Sequence, residues 1–86
     1  MPYRVTWKPR ARKAFLSLDK PVQRRIAAAV DALAADPRPA GVKALRGMPG
    51  VLRIRVSGDY RVLYEVHDDR LVVLVADVGH RREIYR

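Results

Sequence analysis

Leu52-Arg53-Ile54-Arg55-Val56, then Ser57-Gly58-Asp59, then Tyr60-Arg61-Val62-Leu63-Tyr64-Glu65-Val66 run without a break, and this stretch decides the fold. In the first segment apolar residues alternate strictly with arginine. A strand sends successive side chains to opposite faces, so Leu52, Ile54 and Val56 point to a core while Arg53 and Arg55 share the other face. Ser-Gly-Asp is turn chemistry between two such runs, and Tyr60–Val66 is the returning strand of a hairpin. If the chain turns at Ser57–Asp59, Arg55 lies opposite Arg61 and Arg53 opposite Leu63.

Downstream, Asp68-Asp69 marks another turn before Leu71-Val72-Val73-Leu74-Val75-Ala76-Asp77-Val78. A strand apolar on both faces belongs in the middle of a sheet with helices on one side. Turning at Asp68-Asp69 would set Arg61 near Ala76 and Gly58 near Gly79. Upstream, Tyr3-Arg4-Val5-Thr6-Trp7 reads as a short strand. Pro9 suits a first helical position, and Ala11, Ala14, Phe15 and Leu18 recur at helical spacing. Asp19-Lys20-Pro21 ends that helix and opens a second, whose stripe is Val22, Ile26, Ala29, Val30 and Leu33; Asp36-Pro37 stops it. Residues 37–50, rich in Pro and Gly, form a connecting loop. The order β-α-α-β-β-β predicts one α+β domain over residues 1–86, a two-helix hairpin packed on a small antiparallel sheet.

The chain has 86 residues, no cysteine, and 18 Lys+Arg against 9 Asp+Glu, a net charge of +9. The lack of cysteine excludes a disulfide scaffold, a thiolate zinc site and a cysteine nucleophile. The longest apolar run is too short for a membrane span and no signal-peptide pattern opens the chain, so a cytoplasmic protein without a membrane partner is expected. Positive charge concentrates in residues 1–50, which hold 11 Lys/Arg and 3 Asp/Glu. Clustered cations release counterions from phosphate, so this balance points to a nucleic acid; a merely soluble basic protein is the plainer reading. Between Lys8 and Arg25, one acidic residue accompanies Lys8, Arg10, Arg12, Lys13, Lys20, Arg24 and Arg25. These make the helical hairpin a candidate RNA-docking surface, to which Lys43 and Arg46 of the loop are added.

The registers above bring Arg53, Arg55, Arg61, Arg81 and His80 toward one end of the sheet, with Tyr85 just downstream. Arginine forks bind phosphate oxygens in pairs and stabilise charge that develops during transfer. His80 is a natural proton carrier, and Tyr85 can stack on a base. The alternative is a solvated basic face whose arginines pair with Glu65, Asp59 or Asp77. Other chemistries are unsupported. The chain has no Gly-rich phosphate loop, His67 and His80 stand alone without metal spacing, and Ser17 and Ser57 lack a recognisable triad.

The runs Lys43–Arg55, Gly58–Val66 and Val78–Tyr85 resemble, in order and spacing, the loop and strands of RelE-type toxins of the RelE/ParE superfamily. The resemblance covers essentially the whole chain. It implies a toxin of a type II toxin–antitoxin pair, silenced by a cognate acidic antitoxin, which enters the ribosomal A site and cuts messenger RNA. No metal or other cofactor is implied: the messenger's 2′-hydroxyl attacks the adjacent phosphate, leaving a 2′,3′-cyclic phosphate and a 5′-hydroxyl. By this resemblance Arg61 and Arg81 bind phosphate, Tyr85 stacks on a codon base, and the helical hairpin docks on ribosomal RNA. Where well-known members carry lysines, one of them a proposed general base, this chain has Arg53 and Arg55. Arginine is not deprotonated in proteins, so these two are expected only to stabilise charge while His80 handles the proton. The competing implications are a ParE-like inhibitor of DNA gyrase, or an inactive member that only binds RNA or its antitoxin.

Overall fold

The computed structural model describes residues 2–84, and Tyr85 lies outside the described residues. Strand β1 spans Arg4–Trp7, helix α1 Pro9–Leu16 and helix α2 Lys20–Leu33. Four strands follow: β2 Lys43–Ala44, β3 Val51–Val56, β4 Tyr60–His67 and β5 Val72–His80. Both helices begin with proline in their first turn, where a missing N–H costs nothing. Between them Gln23 donates its side-chain amide to the carbonyls of Leu16 (3.2 Å) and Leu18 (2.8 Å), closing the end of α1. No described helix is long and apolar enough to cross a membrane.

The helical hairpin packs on one face of a five-stranded sheet ordered β1-β5-β4-β3-β2. The α+β class and the helical layer match the sequence reading. The sheet, however, is mixed: β1 runs parallel to β5, with Arg4 beside Val72 and Trp7 beside Val75. Two intervening helices carry the chain across the sheet, and such a crossover permits the parallel pairing that a tight hairpin forbids. The loop also contributes an unforeseen two-residue strand, β2, whose Lys43 pairs with Arg53.

One face of the sheet and one stripe of each helix form the core. Ile26, Val30 and Leu33 of α2 are buried at helical spacing against Ile54, Val56, Val62, Tyr64, Val73, Val75 and Val78. Ala11 of α1 is fully buried, and Phe15 meets Trp7 edge-on at 5.1 Å between centroids. As expected from its two apolar faces, β5 is internal, flanked by β1 and β4.

The first hairpin has the register read from the turn: Arg55 opposes Arg61 and Arg53 opposes Leu63. Ser57 (φ 53°) and Gly58 (φ 77°) both take left-handed backbone, which reverses the chain between Val56 and Tyr60. The second hairpin departs from expectation. Arg61 pairs with Gly79 rather than Ala76, and Tyr60 with His80. Two causes add. The turn takes in Asp68 through Leu71, and a bulge opposite Leu63/Tyr64 leaves Ala76 without a partner.

Candidate nucleic-acid interface on the outer face

Alternation along β3 and β4 sends Arg53, Arg55, Arg61 and Leu63 to the face away from the helices. The pairings then align side chains across strands. One row runs Lys43, Arg53, Leu63 and Asp77 from β2 to β5; the next runs Arg55, Arg61 and Gly79. After β5 the segment Arg81–Ile84 turns back over this face. Its Ile84 Cβ lies 3.7 Å from where a side chain on Gly79 would begin. The Arg81 N–H donates to the Asp59 carbonyl at 2.7 Å, which anchors Arg81 at the hairpin turn beside Arg61.

Arg61 is only 5% exposed. One terminal nitrogen donates to the carbonyls of Gly58 (2.7 Å) and Tyr60 (3.1 Å), but no carboxylate answers its charge among the described residues. The Nε atoms of Arg53 and Arg61 are buried without a hydrogen-bond partner among the described residues. The acidic groups beside this face pair with other cations. Glu65 binds Lys8 (3.3 Å) and His67 (3.0 Å), Asp77 binds Arg10 (3.3 Å), and Asp59 binds Arg81 (3.6 Å). Burial is the largest influence on Glu65 and raises its pKa, but the hydrogen bonds and charge of Lys8 and His67 prevail and lower it. The alternative of a face neutralised by local ion pairs therefore holds for Arg81 and not for Arg53, Arg55 or Arg61. A buried cation without a counter-charge is costly, and an incoming anion offsets that cost.

A groove of about 590 Å³ adjoins these rows, lined by Lys8, Arg10, Arg46, Leu63, Asp77 and Ile84 with further apolar side chains. Lys8, Arg10 and Arg46, read from sequence as part of the docking surface, thus line the arginine face itself. The exposed Arg12, Lys13, Lys20, Arg24 and Arg25 remain on the helical hairpin. Lys43 borders a second groove at the β3 edge, together with Arg53 and Arg55.

His80 is not brought to the arginines' face. Its strand partner is Tyr60, which packs against the core cluster, and the two rings meet edge-on at 5.5 Å. His80 Nδ1 accepts the Arg82 N–H at 3.1 Å, so in the neutral ring Nε2 carries the proton. Sequence reading offered Asp77 only as an ion-pair partner for the arginines and not as a groove-lining group. The available signal was a lone carboxylate inside an otherwise apolar strand, but its face depends on the bulge at Ala76.

Comparison with known proteins agrees with this architecture. Residues 5–85 match the family model of the ParE toxin of the type II toxin–antitoxin system, parDE. The mRNA interferase toxin RelE of Escherichia coli is 34% identical over 88 residues, covering 99% of this chain and 92% of that one. Toxin RelG of Mycobacterium tuberculosis is 34% identical over 90 residues, covering 100% and 99%. Among solved structures, the RelBE2 toxin–antitoxin complex of M. tuberculosis superposes with a TM-score of 0.82 at 28% identity, covering 94% of this chain and all of that one. A double mutant of E. coli RelE in the free state gives 0.82 at 30% identity, covering 99% and 90%. Fold and outer face together define a small toxin of the RelE/ParE type. The chain belongs to the ParE toxin family of type II toxin–antitoxin systems, and the relatives it resembles include the toxins RelE of E. coli and RelG of M. tuberculosis.

Proposed function

We propose that this toxin is an endoribonuclease that cuts messenger RNA in the ribosomal A site and is held in check by an acidic antitoxin. One observation carries the reading: the charge of Arg61, nearly buried, has no carboxylate partner among the described residues while Arg53 and Arg55 flank it on the same face. That constellation suits a phosphodiester. Arginine donors stabilise the charge that accumulates on phosphoryl oxygens as the 2′-hydroxyl attacks and the 5′-oxygen leaves, giving 2′,3′-cyclic phosphate and 5′-hydroxyl ends. The E. coli relative is named an mRNA interferase, which supports the reaction class, and the solved toxin–antitoxin complexes support an antitoxin partner. In this reading residues 1–86 work as one domain in the cytoplasm. The cations of the helical hairpin dock on ribosomal RNA, and Tyr85 stacks on a codon base.

Primer-extension mapping of a defined messenger, with and without programmed ribosomes, tests the proposal. Cuts within A-site codons only when ribosomes are present are the expected result; no cuts in either reaction defeat it. A second reading, inhibition of DNA gyrase, is favoured by the ParE description of the family model, and a supercoiling assay checks it.

A further inference from the structure

The outer face raises a question of proton transfer. Attack by a 2′-hydroxyl requires a group to take its proton, and the arginines of this face are permanently protonated. His80 lies on the other side of the sheet with Nδ1 already accepting a hydrogen bond. Among the described residues, the carboxylates near the arginine rows are Asp59, Glu65, Asp77 and Glu83, the last exposed on the segment that follows β5. Asp59, at the hairpin turn, is 60% exposed in its side chain. Glu65 stands opposite Val51, beyond the arginine rows, and is occupied by Lys8 and His67. Asp77 is different. Its side chain is 15% exposed, it lines the groove, and it shares a row with Arg53 and Leu63. It sits one strand across from Arg61 and two residues along β5 from Arg61's partner Gly79, a diagonal separation of about 7–8 Å that a bound phosphodiester and its ribose can bridge.

Asp77 is also held. Its Oδ1 accepts the Val78 N–H at 2.9 Å and its Oδ2 pairs with Arg10 Nε at 3.3 Å. A carboxylate has about four lone-pair sites, so these contacts leave acceptor capacity facing the groove. The bulge at Ala76 creates this placement, as bulges beside functional sites often re-aim a side chain. An in-register strand would have paired Leu63 with Ala76.

We infer that Asp77 is the general base of this toxin, a catalytic residue supplied by β5 in place of a basic group on β3. The inference rests on the ribonuclease reading above. A carboxylate oxygen of Asp77 takes the 2′-hydroxyl proton as the O2′–P bond forms and the P–O5′ bond breaks. The leaving 5′-oxygen takes its proton from water, and the arginines hold the phosphoryl oxygens throughout.

The test is single-turnover cleavage of a programmed ribosome by the full chain and by Asp77→Asn, with Glu65→Gln as a same-face control. The amide preserves the size of the side chain and the hydrogen bond from Val78 but cannot accept the proton. The inference expects the cleavage rate constant to fall about 10²–10⁴-fold in Asp77→Asn while the concentration for half-maximal rate changes little. Asp77→Glu should recover part of the rate and Glu65→Gln should keep it. On a substrate whose leaving 5′-oxygen is replaced by sulfur, which departs without a proton, the deficit of Asp77→Asn persists. A wild-type rate in Asp77→Asn, a loss confined to binding, or rescue by the sulfur leaving group each overturns the assignment. If the unaltered toxin fails to cut, the ribonuclease reading itself falls. Equal melting temperatures for the variant and the parent show that folding is intact.

Discussion

Arg55 and Arg61 stand directly opposite each other across the β3–β4 hairpin, two cations in adjacent strands with no carboxylate of the described residues paired to either. Like charges so placed oppose the pairing, and Arg61 adds the cost of burial. The hairpin forms because its other face contributes Ile54, Val56, Val62 and Tyr64 to the core. The arginine face is thus a local liability carried by the opposite side of the same strands.

This arrangement makes stability and activity separable. Replacing Arg61 with Met should leave the melting temperature unchanged or higher, because an unpaired buried charge is removed for an apolar chain of similar length. Messenger cleavage should fall about 10²–10³-fold. Thermal melts beside primer extension check both halves. A large loss of stability would make Arg61 a structural group that holds the hairpin turn through Gly58 and Tyr60.

The helical cations make a different prediction. Arg24 and Arg25 are exposed on α2. If they contact phosphates of ribosomal RNA, changing both to Gln should lower affinity for ribosomes and reduce the slope of log K against log salt by about 0.7 for each cation lost. Binding titrations over a range of salt concentrations provide the measurement. An unchanged slope would remove these two residues from the interface.

At the end of the sheet remote from the arginines, Asp68 accepts the Tyr3 hydroxyl at 2.6 Å and a two-pronged contact from Arg38 at 2.9 and 3.1 Å. The hydrogen bond from Arg38, followed by that from Tyr3, lowers the Asp68 pKa to about 2. A carboxyl depressed by folding stabilises above its unfolded value of about 3.9, and that contribution is lost as pH falls through about 2. Asp68→Asn should therefore lower the melting temperature at pH 7, with the deficit shrinking between pH 4 and 2. A constant deficit down to pH 2 would show that charge is not involved.

Tyr64 gives the alkaline counterpart. It is fully buried, its hydroxyl donates to the Pro37 carbonyl at 2.7 Å, and burial raises its pKa to about 12. A phenol raised by folding stabilises fully below its unfolded value of about 10, and the contribution is lost as pH climbs through about 12. Tyr64→Phe should cost about 0.5–1.5 kcal/mol at pH 7, read from urea unfolding, and should remove part of the loss of stability between pH 10 and 12.

Sequence and tertiary structure divide the work along a physical line. Whatever depends on neighbours a few residues apart was legible: the alternation that separates Arg53 and Arg55 from Ile54 and Val56, the Ser57–Asp59 turn with its register, the α2 stripe, and the internal place of β5. These follow from backbone geometry and from side-chain periods of 2 and 3.6. The parallel pairing of β1 with β5 was not legible, because a crossover's path depends on how both helices pack. Nor was the bulge at Ala76, since one unpaired residue is chosen by the fit of a whole strand between two others. That bulge sets Arg61 against Gly79, turns His80 toward Tyr60 and places Asp77 in the groove. The sequence by itself determined that this would be a basic α+β toxin with arginines on one face of its sheet. Only the packed sheet decided which groups meet there, because a shift of one residue in register exchanges the two faces of a strand.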